Sequence, residues 1–192
     1  SYPMREIKMG VLGCGSIAEI AHFPSIDKCK EAKLVAVCDV NPKVAEGAAK
    51  RWGAELWFTD YHEMYEKAKL DALVIATPNN GHRNQAVLAA KAGISLIVEK
   101  PLAVTNTEAW DIVKACREAK VKLLVGCDRR FWTHNQWAKQ LIEDGIIGKL
   151  LMSRACLHEH WYNYQNHVAR TKFRLDCAVA GGAAVNDTGA HA

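Results

Sequence analysis

The chain has 192 residues, of which 49% are hydrophobic and 24% charged, with a net charge of +4; this composition suits a folded globular protein and excludes a disordered or collagen-like one. Its charges are interspersed, with no basic stripe carrying aromatics, so nucleic acid is not an expected partner. Apolar runs reach only about five residues, against the roughly 20 that cross a bilayer, so no membrane partner is expected either.

The seven cysteines are scattered and none shares CxxC spacing, which argues against a disulfide framework and a zinc site. The N-terminal SYPMREIKMG has no secretory h-region. A reducing, cytoplasmic compartment is therefore expected.

Ile7–Leu12 is the first predicted strand, and it runs into Gly13-Cys14-Gly15-Ser16-Ile17-Ala18. This GxGxxA pattern opens a predicted helix over Ile17–Phe23. Gly13 allows the tight turn, Gly15 lets the backbone approach a pyrophosphate, and Ala18 lets the helix pack on the strand. Cys14, Ser16 and Ile17 complete the loop and count with the glycines as cofactor-binding candidates. The second strand, Leu34–Cys38, ends on Asp39, 21 residues after Ala18, where a spacing of about 20 places the carboxylate that accepts ribose hydroxyls. Such a carboxylate repels a 2′-phosphate, so the expected cofactor is NAD in preference to NADP.

A predicted helix at Pro42–Arg51 stops at Gly53, and a third strand spans Glu55–Phe58. The next helix, His62–Ala68, is capped by Asp60. The fourth strand, Ala72–Ala76, delivers Thr77, Pro78 and Asn79 to the carboxyl edge of the sheet, with His82 opening the helix His82–Ala92. These four residues are candidates for the nicotinamide half of a dinucleotide. Gly93 stops that helix. The fifth strand, Ile94–Val98, runs into Glu99, Lys100 and Pro101, an abrupt end for a buried strand. Pro101 restrains Lys100 to extended geometry, through a trans or a cis bond. Asn106 is the expected cap of a helix over Thr107–Ala119, and Val121–Val125 is the last strand of the series. The alternation of strand and helix predicts an α/β fold: a Rossmann-type, doubly wound parallel sheet over residues 1–127.

Past Gly126 the rhythm changes. A helix is expected at Asn135–Asp144, then a long polar-aromatic strand over Leu150–Tyr162. Residues 128–192 therefore read as the beginning of a second, α+β open-sheet substrate domain that is incomplete. The chain is expected to be a fragment of a longer protein, with a naturally truncated relative as the alternative. His158 and His160 fall on one strand face, yet they lack a third ligand of matching spacing, so substrate-facing polar residues are expected there and no metal. Trp161, with Tyr162 and Tyr164, is a candidate to stack on a sugar ring, with simple packing as the equal alternative.

The motifs GCGSIA, CDVNP, ATPNNGH and EKPLAVT, followed by RRFW, DGIIGKL and GGAAVNDTGAH, resemble the glucose–fructose oxidoreductase / inositol dehydrogenase / MocA family, over nearly the whole chain. The resemblance implies a nucleotide-binding domain joined to an open-sheet substrate domain. It also implies NAD-dependent oxidation or reduction of a carbinol carbon on a sugar, cyclitol or related polyol, in a homo-oligomer built through the second domain's sheet. Lys100 then matches the family's EKP lysine, Asp187 and His191 its D-x-x-x-H pair, and Arg130 an arginine near its active-site cleft, with an interdomain salt bridge as the equal alternative for Arg130. Glu99 and Lys100 are counted with the cofactor residues too. Residues four apart share a helix face, so Asp187 and His191 can meet one substrate carbon. His191 is the implied proton acceptor, Asp187 orients its imidazole or the substrate, and Lys100 stabilises the developing alkoxide; Lys100 as the acceptor is the alternative. A non-catalytic NAD-binding regulator is the alternative from another class.

Overall fold

The structure is a computed structural model, which describes residues 5–154, 173–174 and 176–182. Six strands, β1 (Ile7–Leu12), β2 (Ala32–Cys38), β3 (Leu56–Phe58), β4 (Ala72–Ile75), β5 (Ser95–Glu99) and β6 (Leu123–Gly126), form one sheet. Its order is β3-β2-β1-β4-β5-β6, and every pairing is parallel. This is the doubly wound arrangement expected from the alternating pattern. The order reverses between β1 and β4, and such a switch point is where a ligand settles.

Burial explains the sequence of the strands. Val11, Val37, Leu73, Ile75 and Val98 are fully buried, as parallel strands covered on both faces require. One face packs on Phe23, Ile26, Ala48 and Ala49; the other packs on Met64, Ala86, Ala89, Ile112 and Cys116. The alanines bring helix backbones close to the sheet, while each fully buried Phe or Ile stabilises by about 1.5–3 kcal/mol.

The helices on these faces are α1 (Phe23–Lys28), α2 (Pro42–Trp52), α3 (Tyr61–Lys67), α4 (His82–Lys91) and α5 (Asn106–Ala119). Two expectations need correction. The first helix does not end at Phe23: a π-helical turn, Ala18–His22, passes directly into α1. The Phe23 N–H bonds Ala18 O, five residues back, and Pro24, which has no N–H, sits in the first turn of α1, where none is needed. The cap of α5 is Thr105, not Asn106. Thr105 accepts from the Glu108 N–H while Glu108 accepts from the Thr105 N–H, a reciprocal capping box. Asp60 caps α3 as expected, and Gly53, with φ of 73°, closes α2.

Helix α6 (Thr133–Glu143) buries none of its residues; Trp137, Leu141 and Ile142 are exposed on it. The strand expected at Leu150–Tyr162 does not begin where the sequence suggests: residues 150–154 have no regular structure, and the remainder lies outside the described residues. A four-residue helix, α7 (Cys177–Ala180), follows an Asp176 cap.

Candidate cofactor cleft

In register, Leu12 stands beside Cys38 and Ile75, Ile75 beside Val98, and Glu99 beside Gly126. The residues that follow β2, β1, β4 and β5 therefore emerge along one edge of the sheet. Across these four strands the edge measures three spacings, about 14 Å. A cleft of about 770 Å³ lies along it, within the roughly 300–1,000 Å³ of small-molecule and cofactor sites. Gly13, Cys14, Gly15, Ser16, Ile17, Asp39, Thr77, Pro78, Asn79, Glu99 and Lys100 all line it, so the structure brings together eleven of the expected cofactor residues.

The β1 turn is held tightly. Gly13 has φ of 91°, and a Cβ there would stand 2.7 Å from the carbonyl of Ala76; only glycine lets the turn lie against the end of β4. Gly15 differs, since a Cβ on it would meet nothing within 4 Å. Its glycine is not required by the protein's own packing. Asp39 is oriented by the backbone: Oδ2 accepts from the Cys14 N–H at 3.0 Å and Oδ1 from the Asn41 N–H at 2.9 Å. One carboxylate thus joins the glycine loop to the start of α2. The thiols of Cys14 and Cys38 are pushed up to about 12, first by burial and then by the Asp39 charge. Neither is a nucleophile near neutral pH.

At the end of β4, Thr77 Oγ1 donates to Gln85 Oε1 at 2.6 Å. The buried Asn79 donates its Nδ2 to Ala180 O at 3.0 Å, attaching α7 to the cleft. His82, expected to touch the cofactor, does not line the cleft and is fully buried. Its Nδ1 faces Pro101 O at 3.0 Å and its Nε2 faces Thr77 O at 2.9 Å. It ties the β4 loop to the β5 loop. Burial lowers its pKa against the opposing pull of the carbonyls, and the neutral ring has one N–H to donate to one of them.

At the end of β5, the Lys100–Pro101 bond is cis, and both Glu99 and Lys100 are partly buried. Glu99 Oε1 meets His22 Nε2 at 2.8 Å, and Oε2 accepts from the Lys100 N–H at 3.3 Å. Gly126 makes room for this carboxylate: a Cβ there would approach Oε1 to 2.9 Å.

Arg130 lies on a 3-10 turn (Asp128–Phe131), is exposed, and does not line the cleft. Asp187, His191, His158, His160 and Trp161 lie outside the described residues. Several lining residues escaped the sequence reading, among them Asn41, Tyr61, Gln85 and Phe173. Asn41 had a signal: an Asn before Pro at a helix start, which indeed caps α2. Gln85 lies one turn past His82 on the same helix face, a spacing that could have flagged it.

This donor set suits a dinucleotide. An oriented carboxylate stands at β2, a glycine turn with open space at β1, and a carboxylate and an amine at β5. No helix among the described residues is long and apolar enough to cross a membrane.

A family model described as "Oxidoreductase family, NAD-binding Rossmann fold" (GFO_IDH_MocA) matches residues 7–127. Inositol 2-dehydrogenase of Rhizobium meliloti is 34% identical over 76% of this chain and 43% of its own length. Among solved structures, the WlbA dehydrogenase of Bordetella pertussis, in complex with NADH and UDP-GlcNAcA, is 37% identical with a TM-score of 0.72, covering 76% of this chain and 44% of that one. The scyllo-inositol dehydrogenase of Lactobacillus casei, with bound NAD(H) and scyllo-inositol, is 32% identical with a TM-score of 0.72, covering 76% and 43%. The chain spans about half the length of the curated relatives it matches, 58% in one case and 43% in another.

Proposed function

Because the chain belongs to the GFO_IDH_MocA oxidoreductase family, with its NAD-binding Rossmann fold, we propose that it serves NAD-dependent hydride transfer at a carbinol carbon of a sugar, cyclitol or related polyol. One observation carries the reading: Asp39, the Gly13–Gly15 turn, Thr77–Asn79 and Glu99–Lys100 line a single cleft along the sheet edge. The substrate class is supported by relatives named for inositol and by the WlbA dehydrogenase structure in complex with UDP-GlcNAcA.

When bound, NAD supplies the hydride acceptor or donor. The chain's own residues do the rest. Asp39, held by two backbone N–H groups, accepts the hydroxyls of the adenosine ribose and disfavours a 2′-phosphate there. The glycine turn and the helix start behind it receive the pyrophosphate. Lys100 donates to the reacting oxygen and stabilises alkoxide charge as it develops. The hydroxyl proton passes to His191, oriented by Asp187, with Lys100 as the rival acceptor.

The test is incubation of the full-length protein with NAD or NADP and a panel of inositols, aldoses and sugar acids, following NADH or NADPH. Turnover with NAD on a member of the panel is the expected result. NAD binding without turnover on any of them would favour a dinucleotide-sensing regulator instead.

A further inference from the structure

The Glu99 carboxylate beside Lys100 is fixed from a direction that hydride transfer does not explain. His22, on the π-helical turn that follows the glycine loop, places Nε2 2.8 Å from Glu99 Oε1. We infer that His22 is a positioning residue for the nicotinamide end of the cleft, holding the Glu99 carboxylate on the cleft wall beside Lys100. The inference rests on the proposed binding of NAD in this cleft.

Three separate elements converge on this one carboxylate. The π-helical turn supplies the imidazole, the residue that follows β5 supplies the Lys100 N–H at 3.3 Å, and β6 ends on a glycine whose missing Cβ leaves the space that Oε1 occupies. The His22 and Glu99 side chains are 16% and 14% exposed, so the pair is largely withdrawn from water. Stability alone is a poor reason to keep it, because desolvating two polar groups offsets most of what their attraction contributes. A second histidine–carboxylate pair provides the contrast. His62 and Asp60 approach to 2.7 Å, but at 61% and 55% exposure they face solvent and neither lines the cleft; such exposed pairs contribute little.

Glu99 lines the cleft, whereas His22 does not. His22 therefore acts through Glu99. Without it the carboxylate loses one of the two hydrogen bonds it makes among the described residues, and its rotamers are no longer restricted on that side. The cleft wall then loses a fixed carboxylate, while the fold retains every apolar contact of Phe23 and α1.

The test uses the full-length protein and reads NADH affinity by the rise in nicotinamide fluorescence, with Tm recorded for each variant. His22→Ala is expected to weaken NADH binding about ten-fold, the worth of one charge-assisted hydrogen bond. Glu99→Ala should weaken it to a similar degree, and the double variant no further than the worse single one, because the two residues act as a unit. His22→Gln, which keeps a donor, should recover most of the affinity. Gly126→Ala displaces the same carboxylate without touching His22 and should weaken NADH binding too; it keeps the inference testable if His22→Ala does not fold. His62→Ala should leave affinity unchanged. An unchanged NADH affinity in His22→Ala, or fully additive losses in the double variant, would overturn the inference while leaving the cofactor reading intact. Failure of the wild-type protein to bind NADH would overturn both.

Discussion

Gly13 and Gly15 stand two residues apart in one loop, yet alanine at each should fail for a different reason. At position 13, alanine would take a φ of 91° and bring its Cβ within 2.7 Å of the Ala76 carbonyl and 2.9 Å of the Thr77 nitrogen, all backbone atoms at the end of β4. The conformation costs about 1–3 kcal/mol and overpacking against backbone a further 1–3 kcal/mol. The sum, about 2–6 kcal/mol, is a large share of the roughly 5–15 kcal/mol that holds a domain folded. At about 2–4 °C per kcal/mol for a chain of this size, Tm should fall by roughly 4–24 °C. At position 15 nothing lies within 4 Å of the added Cβ, so Tm should stay within about 2 °C. The methyl group would occupy the approach of the pyrophosphate instead, and a comparable overpacking of 1–3 kcal/mol is about a five- to 150-fold loss of affinity. Thermal denaturation and NADH titration of both variants check the pair. Gly15→Ala with wild-type NADH affinity, or Gly13→Ala with wild-type Tm, would refute the reasoning.

Three further outcomes are expected. Lys100→Ala should abolish turnover in the full-length protein while NADH binding is retained, and near-normal kcat would remove Lys100 from the chemistry. With Cys14 and Cys38 pushed up to about 12, only about one thiol in ten thousand is ionised at pH ~8; alkylation followed by peptide mass mapping should find the exposed Cys29 and Cys177 modified long before either. The His82 ring titrates below its ordinary value because of burial, so its neutral form is the one the fold favours. That contribution is complete above the ordinary histidine pKa of about 6.5 and is lost as pH falls through the lowered folded value. The Tm advantage of wild type over His82→Gln should therefore shrink between pH ~7 and ~5, and a constant or growing advantage would contradict it.

The centre of the sheet was legible because β1, β2 and β4 are buried on both faces over most of their length and thus nearly continuous in apolar residues, with little to confuse them with amphipathic helices. Most of the cofactor edge was legible for a related reason: β1, β2, β4 and β5 end on glycine, carboxylate or proline signals at set distances from their apolar runs. The failures are physical as well. Thr105 and Asn106 are both good caps by type, and only the reciprocal bond with Glu108 decides between them. His82 looked like a ligand because it opens a helix at the cleft edge, but its burial depends on the Pro101 carbonyl, 19 residues further along the chain. His22 could not be found at all. Its partner is 77 residues away and the helix between it and the glycine loop is π-wound, a local departure that no spacing in the sequence announces.

The strand order bears on how the polypeptide assembles. β3, β2 and β1 can pair once residue 58 is available, but the other edge of β1 stays open until β4 arrives at Ala72–Ile75. Two half-sheets thus meet along β1 and β4, a non-local pairing whose loop closure makes it slow. Asp39 and the glycine turn belong to the earlier half, Thr77, Glu99 and Lys100 to the later one. A dinucleotide laid across the edge grips both halves at once, and at a hundred times its Kd such a ligand adds about 2.7 kcal/mol against their separation. The cofactor is then a clasp on the folded chain as well as a reagent, and the seam between β1 and β4 is the place where its withdrawal would first be felt.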